Sequence, residues 1–275
     1  MPGPAANPLD HVIDHHELEL PWFTPPTFEL KIPLPQVLGI QVSRFMVMEL
    51  IAAGLLVLVM VPAVRRIASG HVSRGKFTNM IEAMLLFIRD DVARPAIGGH
   101  GADRFLPFLW TIFFFVLFNN LLGMVPGLSS ATGSISVTAA LALLTFITVI
   151  SAGVRELGFV GYWVGIVPHL DVPAVLKPFL WGLMFFIEVA GLLIRHTVLA
   201  VRLFANMFAG HVVLAVILGF ILMAYGNMWV FGLVMPVSIA GVICLSLLEL
   251  FVAFLQAYIF VFLSALFIGM AVHPH

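Results

Sequence analysis

Long apolar stretches with almost no charged residues dominate this chain. Hydrophobic residues make up 61% of the 275 positions and charged residues only 10%, against roughly 45 to 50% and 25% in soluble domains. A helix of about 20 apolar residues crosses a hydrocarbon core of about 30 Å. The sequence therefore predicts an all-α polytopic membrane protein with five transmembrane helices. A net charge of -1 gives no indication of nucleic-acid binding.

The predicted organisation is an N-terminal arm followed by a membrane domain. Residues 1–40 are rich in proline, which disfavours an interior helix, so we expect an extracytoplasmic arm. Within the membrane domain, 41–275, the predicted segments are a first span at 41–64, an interfacial amphipathic helix at 75–95, a helical hairpin at 105–155, and a long helix pair at 178–223 and 229–272. Some 40 residues at 1.5 Å each span about 60 Å, so the last two helices are expected to tilt strongly.

Two segments are expected to lie at the membrane surface and not across it. From Phe77 to Val92, apolar residues recur with i, i+3, i+4, i+7 spacing, and polar or charged residues such as Asn79, Glu82 and Arg89 lie at other positions. This pattern is typical of a helix in the interface. The apolar stretch 158–168 has about 11 residues, too few to cross, and predicts a re-entrant or interfacial connection.

Positive charges predict the orientation of the spans. Lysine and arginine cluster between the first span and the hairpin, and again before the first long helix, whereas loops 126–134 and 224–228 contain none. Basic loops remain on the cytoplasmic side. The N-terminus is therefore expected outside and the C-terminus in the cytoplasm.

The first long helix carries five polar groups at membrane depth, namely Glu188, Arg195, Arg202, Asn206 and His211. A charged side chain at the bilayer centre costs from about 2.5 to more than 10 kcal/mol, so such groups indicate a function by default. At about 100° per residue the first four share one face of the helix, whereas His211 points toward a different neighbour. The segment therefore predicts an ion path.

The second long helix carries Glu249 and Gln256, which are seven residues apart and share a face. If Arg202 and Gln256 lie at one depth, antiparallel helices place His211 about 13.5 Å and Glu249 about 10.5 Å toward the same surface. We therefore expect His211 and Glu249 to meet. A histidine beside a carboxylate titrates near neutrality and can relay a proton, whereas an arginine stays charged.

Three further polar residues of the predicted spans are given secondary roles, and the histidines near the N-terminus are given no definite role. Asn120 is expected to bond to a neighbouring helix, as amides in spans usually do. Arg195 is expected to extend to the interface, and His196 is either a helix residue near that interface or part of an inner passage. The histidines at the N-terminus, in residues 11–16, fit a metal site or a solvated tail. No metal and no cofactor are assigned.

Two motifs resemble subunit a of bacterial F-type ATP synthases. These are VRLFANMFAGH at 201–211 and ELFVAFLQAYIF at 249–260, and the similarity extends over most of the chain. The resemblance implies a stator subunit of the Fo sector, in which Arg202 faces the rotating c-ring and separates two proton half-channels. It places Asn206, His211, Glu249 and Gln256 in the outward half-channel and Glu188 in the inward one. Many relatives have proline where this chain has His196.

The resemblance also implies partners and a location. The partners are the c-ring subunits, the b subunits of the peripheral stalk, the F1 head indirectly, membrane lipid and the translocated proton. The location is the bacterial plasma (inner) membrane. The chain lacks a GxxxxGK[ST] loop, so it is expected to have no nucleotide site of its own while belonging to the proton-transporting two-sector ATPase.

Two other function classes also occur among polytopic membrane proteins. An ion-coupled secondary transporter predicts internal repeats with broken helices at matching positions, which the sequence does not show. A haem-bearing respiratory membrane subunit needs paired histidines in facing spans, whereas His196 and His211 lie on one helix.

The transported ion is a proton or sodium, and the histidine–glutamate pair favours protons.

Overall fold

The fold is described here from a computed structural model. It describes residues 43–68, 75–125, 130–168, 173, 176–224 and 228–273, together with short segments at 17–19, 31–33, 36–37 and 40–41. Within these residues, five helices are long and apolar enough to cross a membrane. The predicted class, an all-α polytopic membrane protein, is confirmed.

Two pairs of short antiparallel strands precede the helices. β1 (Glu17–Glu19) pairs with β2 (Lys31–Pro33), and β3 (Gln36–Val37) pairs with β4 (Ile40–Gln41). They belong to the N-terminal arm, where the prolines predicted the absence of a helix but not these pairings. The histidines of residues 11–16 lie outside the described residues.

The helices follow the predicted order. They are α1 (Arg44–Ala68), α2 (Lys76–Phe87), α3 (Arg94–Ile97), α4 (Gly99–Ala102), α5 (Leu106–Gly123), α6 (Ile135–Leu157), α7 (Phe159–Gly165), α8 (Lys177–Ala224) and α9 (Met228–Val272). A π-helical stretch, Ile88–Ala93, joins α2 to α3, and a 3₁₀ turn, Ala131–Gly133, precedes α6. The short stretch after α6 is helical but has only 7 residues in α7, too few to cross a membrane.

The helical segment from α2 through the π-helical stretch has two apolar stripes with different surroundings. One stripe is buried in the protein and consists of Ile81, Leu85, Ile88 and Val92. The other includes Phe77 and Met80, which are 56% and 52% exposed. Trp110 of α5 donates a hydrogen bond from Nε1 to the Leu85 carbonyl at 3.1 Å and so ties α5 to the buried side. The exposed stripe is free to enter lipid, as expected for an interfacial helix.

Close contacts divide the chain into two units, which are described separately. The first unit comprises Met1–Leu58, Phe115–Val137 and Arg202–Gln256, and the second comprises Val59–Phe114, Thr138–Val201 and Ala257–His275. The boundary within α8 falls between Val201 and Arg202. The polar residues of α8 are therefore distributed over both units.

Candidate ion path

The two sides of α8 differ in burial. A buried stripe recurs every three or four residues, as expected for a packed helix face, and consists of Leu192, His196, Leu199, Leu203 and Met207. Val198 and Val201 lie between its members and are 46% and 47% exposed. This second side is open to lipid or to another subunit.

Arg202 lies on the exposed side of α8. Its neighbour Val201 and the following Ala205 are exposed as well. Within the described part of the protein, the Arg202 guanidinium has no hydrogen-bond or ion-pair partner. An arginine stays protonated in any protein environment, so this helix side presents a permanent cation within an apolar surface.

His211 and Glu249 are brought together in the first unit, as the helical register predicts. His211 Nδ1 lies 4.0 Å from Glu249 Oε1, which is too long for a direct hydrogen bond between these atoms. Instead, Nδ1 bonds to the Met207 carbonyl oxygen at 2.7 Å. A carbonyl only accepts, so Nδ1 carries the hydrogen, and Nε2 holds the lone pair of the neutral ring.

Gly210 provides the space that the Glu249 carboxylate occupies. A β-carbon built on Gly210 would lie 2.6 Å from Glu249 Oε1, closer than real β-carbons approach an oxygen. The absence of a side chain therefore lets the carboxylate approach the α8 backbone. Gly210 was not predicted to belong to the site, although its position directly before His211 was the available signal in the sequence.

Three residues of the predicted outer passage bury polar atoms that have no partner within the described protein. These atoms are Asn206 Nδ2, Glu249 Oε1 and Gln256 Nε2. More than about 90% of buried polar groups in proteins have a hydrogen-bond partner, and an unmet one costs about 1 to 3 kcal/mol. Such groups are suited to bond a water molecule or a passing ion.

A buried hydrogen-bond network surrounds Asn120. Its Nδ2 donates to the Ala253 carbonyl of α9 at 3.3 Å, and its Oδ1 accepts from Thr132 Oγ1 at 3.0 Å. Ser130 Oγ lies 2.6 Å from the same Thr132 oxygen. Asn120 thus bonds to a neighbouring helix, as predicted for it. The preceding Asn119 instead donates from Nδ2 to the Phe115 carbonyl of its own helix at 2.9 Å.

Glu188 and Arg195 form an ion pair in the second unit. Arg195 Nη2 lies 3.8 Å from Glu188 Oε2, and both side chains are partly exposed. The pair borders a cavity of about 260 Å³, the Glu188 cavity, whose lining includes Tyr162, Leu192, Phe267 and His273. Arg195 therefore has a carboxylate partner on its own helix, which the sequence analysis did not foresee.

His196 is a core residue of the second unit. Its ring is 5% exposed and lies between Phe146 and Phe267, with centroid distances of 5.1 and 5.0 Å. Nδ1 donates to the Leu192 carbonyl at 2.8 Å, and Nε2 has no partner in the described protein. Among the described residues, no group of three or more His, Cys, Asp or Glu could hold a metal ion.

Comparison with known proteins decides the family. The profile described as ATP synthase A chain matches residues 46–269. The chain belongs to this subunit a family. ATP synthase subunit a of Chloroherpeton thalassium is 42% identical over 269 residues, which cover 96% of this chain and 76% of the relative.

Two other relatives show the same degree of similarity. ATP synthase subunit a of Myxococcus xanthus is 43% identical over 241 residues, covering 86% of this chain and 76% of the relative. ATP synthase subunit a 2 of Chlorobaculum tepidum is 40% identical over 268 residues, covering 94% and 72%. Membership decides against the transporter and the respiratory subunit. As a subunit a, the chain is a multi-pass membrane protein of the CF(0) sector with a role in ion transport for ATP synthesis.

The matched region includes every predicted site residue of this subunit a. It covers the residues from Asn120 to Gln256, whereas His273, which borders the Glu188 cavity, lies beyond its end. The cavity therefore includes one titratable residue outside the matched part of the chain.

Proposed function

We propose that this subunit a is the stationary half of a proton-driven rotary motor. It forms two proton half-channels beside a rotating c-ring and couples proton flow to rotation and ATP synthesis. The observation that carries this proposal is Arg202, an exposed cation without a partner in the described protein, on an apolar side of α8. A carboxylate on another subunit would satisfy that charge within the membrane.

The outer half-channel is assigned to the first unit. Its relay consists of His211 and Glu249, which are 4.0 Å apart. Because Nδ1–H is bonded to a carbonyl, the ring accepts a proton at Nε2. The charged ring then gives one proton to the Glu249 carboxylate and returns to its neutral form. Asn206 and Gln256 supply the buried amide donors that can hold water beside this pair.

The inner half-channel is assigned to the second unit near Glu188. The ion pair with Arg195 holds the Glu188 carboxylate at the edge of the cavity. Between the two passages, Arg202 favours the ionised form of each carboxylate that the c-ring brings to it, and so drives release of the bound proton. Its permanent charge also repels a proton that would otherwise pass directly between the passages.

The further partners and the orientation belong to the same proposal. The b subunits of the peripheral stalk would hold subunit a still, and the F1 head would be coupled to it indirectly. The basic residues at the end of α1, Arg65 and Arg66, support a cytoplasmic position for that end. In a bacterial plasma membrane, the N-terminus would then lie outside the cell and the C-terminus in the cytoplasm.

The test is replacement of Arg202 by alanine in the complete, reconstituted complex. We expect ATP-driven proton pumping to be abolished while subunit content and ATP hydrolysis by the detached head stay normal. The matched control is Val216→Ala, a second exposed position on α8, which should pump normally. Coupled pumping by the Arg202→Ala complex would refute the proposed function.

A further inference from the structure

The Glu188 cavity extends to the C-terminal end of α9. Glu188 and Arg195 of α8 line it together with Tyr162 of α7, and His273 follows directly after α9. His273 is exposed, whereas Tyr162 is only 3% exposed. The cavity therefore has an ion pair at its wall and an accessible imidazole at its edge.

The backbone of His273 is hydrogen-bonded to α9, and a glycine turn approaches its side chain. Its N–H donates to the Gly269 carbonyl at 2.9 Å, which extends the hydrogen bonding of α9. His273 Nε2 lies 3.5 Å from the point that a β-carbon on Gly98 would occupy, and Gly98 has φ +99°. Only glycine adopts this backbone conformation without strain. The turn between α3 and α4 therefore approaches the His273 ring at Gly98.

The cavity has room for water and one group suited to proton exchange near neutrality. Its volume of about 260 Å³ is far above the ~15 Å³ that one water molecule needs by this measure, so the cavity has room for several water molecules. Glu188 is paired with Arg195 at 3.8 Å, and burial raises the pKa of the Tyr162 hydroxyl. Among the described residues that line the cavity, His273 is the one histidine, and an imidazole can both bind and release a proton.

We propose that His273 is the proton-exchanging residue at the entrance of the inner passage, carrying protons between the bulk solution and Glu188. The imidazole binds a proton at the nitrogen that holds its lone pair. It then releases a proton to water in the cavity, and that water bonds to the Glu188 carboxylate. Only protons move in this step, and no electron transfer is needed. The inference rests on the proposed function, because it assigns a further residue to the same passage.

The test uses His273→Gln in the complete complex, stripped of F1 and reconstituted in vesicles, with passive proton flux as the readout. We expect flux to fall several-fold in weakly buffered solution. Its dependence on the pH of the cytoplasmic side should differ from that of the wild type, because the proton-exchanging imidazole is missing. Imidazole added on that side should restore the flux, because a soluble imidazole replaces the missing carrier. Val272→Ala, the preceding residue outside the cavity lining, is the matched control for a disturbed helix end.

A second variant separates proton exchange from a structural role. His273→Glu keeps a titratable group, so it should retain more flux than His273→Gln and shift the pH dependence of the flux to lower pH than in the wild type, because a carboxyl group is a stronger acid than an imidazolium. Wild-type flux with an unchanged pH profile in His273→Gln would overturn the inference, as would rescue by imidazole from the opposite side alone. If either result is found while the Arg202→Ala complex is inactive, the inference about His273 is wrong and the proposed function is unaffected.

Discussion

The carboxylate of Glu249 lies against the backbone of Gly210, with Oε1 only 2.6 Å from the point that a β-carbon on this glycine would occupy. The next residue, His211, has its Nδ1 4.0 Å from the same oxygen. Two consecutive residues of α8 therefore contact the carboxylate: Gly210 leaves room for it, and His211 places an imidazole next to it. The separation between acid and imidazole is set by a glycine as well as by the two titratable side chains.

Replacing Gly210 by alanine should displace the Glu249 side chain without removing any titratable group. A shift of about 1 Å at a reacting group can cost up to ~10²-fold in rate, so we expect proton flux to fall by about tenfold. Passive flux through the F1-stripped complex measures this. Gly219→Ala is the matched control, because nothing lies within 4 Å of the β-carbon it adds. If both variants lose the same flux, the Gly210 contact with Glu249 is not the cause.

Exchanging the members of the relay should preserve part of its activity. The single changes His211→Glu and Glu249→His leave two acids or two imidazoles, whereas the double variant keeps one of each at the 4.0 Å contact. We expect the double variant to pump more protons than either single variant, as measured by ATP-driven acidification of vesicles. Equal loss in all three complexes would count against the relay.

Lysine should not replace Arg202. An ammonium keeps the charge but is a strongly hydrated point charge on a flexible stem, and it lacks the planar fork of donors that a guanidinium presents to a carboxylate. We expect Arg202→Lys to assemble normally and to show less than about a tenth of wild-type pumping, a loss of ~1.4 kcal/mol or more. Pumping near the wild-type level would show that charge alone is sufficient.

Gly269 should be indispensable for packing at the end of α9. A β-carbon there would overlap the Ala96 carbonyl oxygen of α3, and backbone cannot move aside as a side chain can. Overpacking of this kind costs about 1 to 3 kcal/mol. We expect Gly269→Ala to lower the thermal unfolding temperature of the purified complex, while Gly182→Ala, which has nothing within 4 Å, leaves it unchanged.

The helices were largely predictable from the sequence because hydrophobic length determines them. The long pair predicted at 178–223 and 229–272 is found at Lys177–Ala224 and Met228–Val272. α1 continues to Ala68, beyond the predicted end at 64, because Arg65 and Arg66 are good helix formers that end the hydrophobic run but not the helix. The meeting of His211 and Glu249 followed from helical phase and rise alone.

The remaining features depend on contacts between distant segments. The close approach of Glu249 to Gly210 arises because α9 packs against α8 at this point. The hydrogen bond from Thr132 to Asn120 likewise joins a loop residue to a helix residue. The pair of Glu188 and Arg195 was within reach of the helical reasoning, since seven residues are two turns. The free-energy cost of a charged side chain in the membrane indicates a function for each residue separately, and it does not predict that two such residues pair.

The solitary charge of Arg202 also has a consequence for biogenesis. A newly inserted copy of the chain presents this exposed cation to lipid, an unfavourable environment until an anionic partner arrives. Assembly would therefore give the Arg202 charge a partner, whereas every unassembled copy of the chain would keep this charge uncompensated. We expect unassembled chains to be recognised and degraded preferentially, so that the residue proposed to be essential for transport would also link the lifetime of the chain to its incorporation.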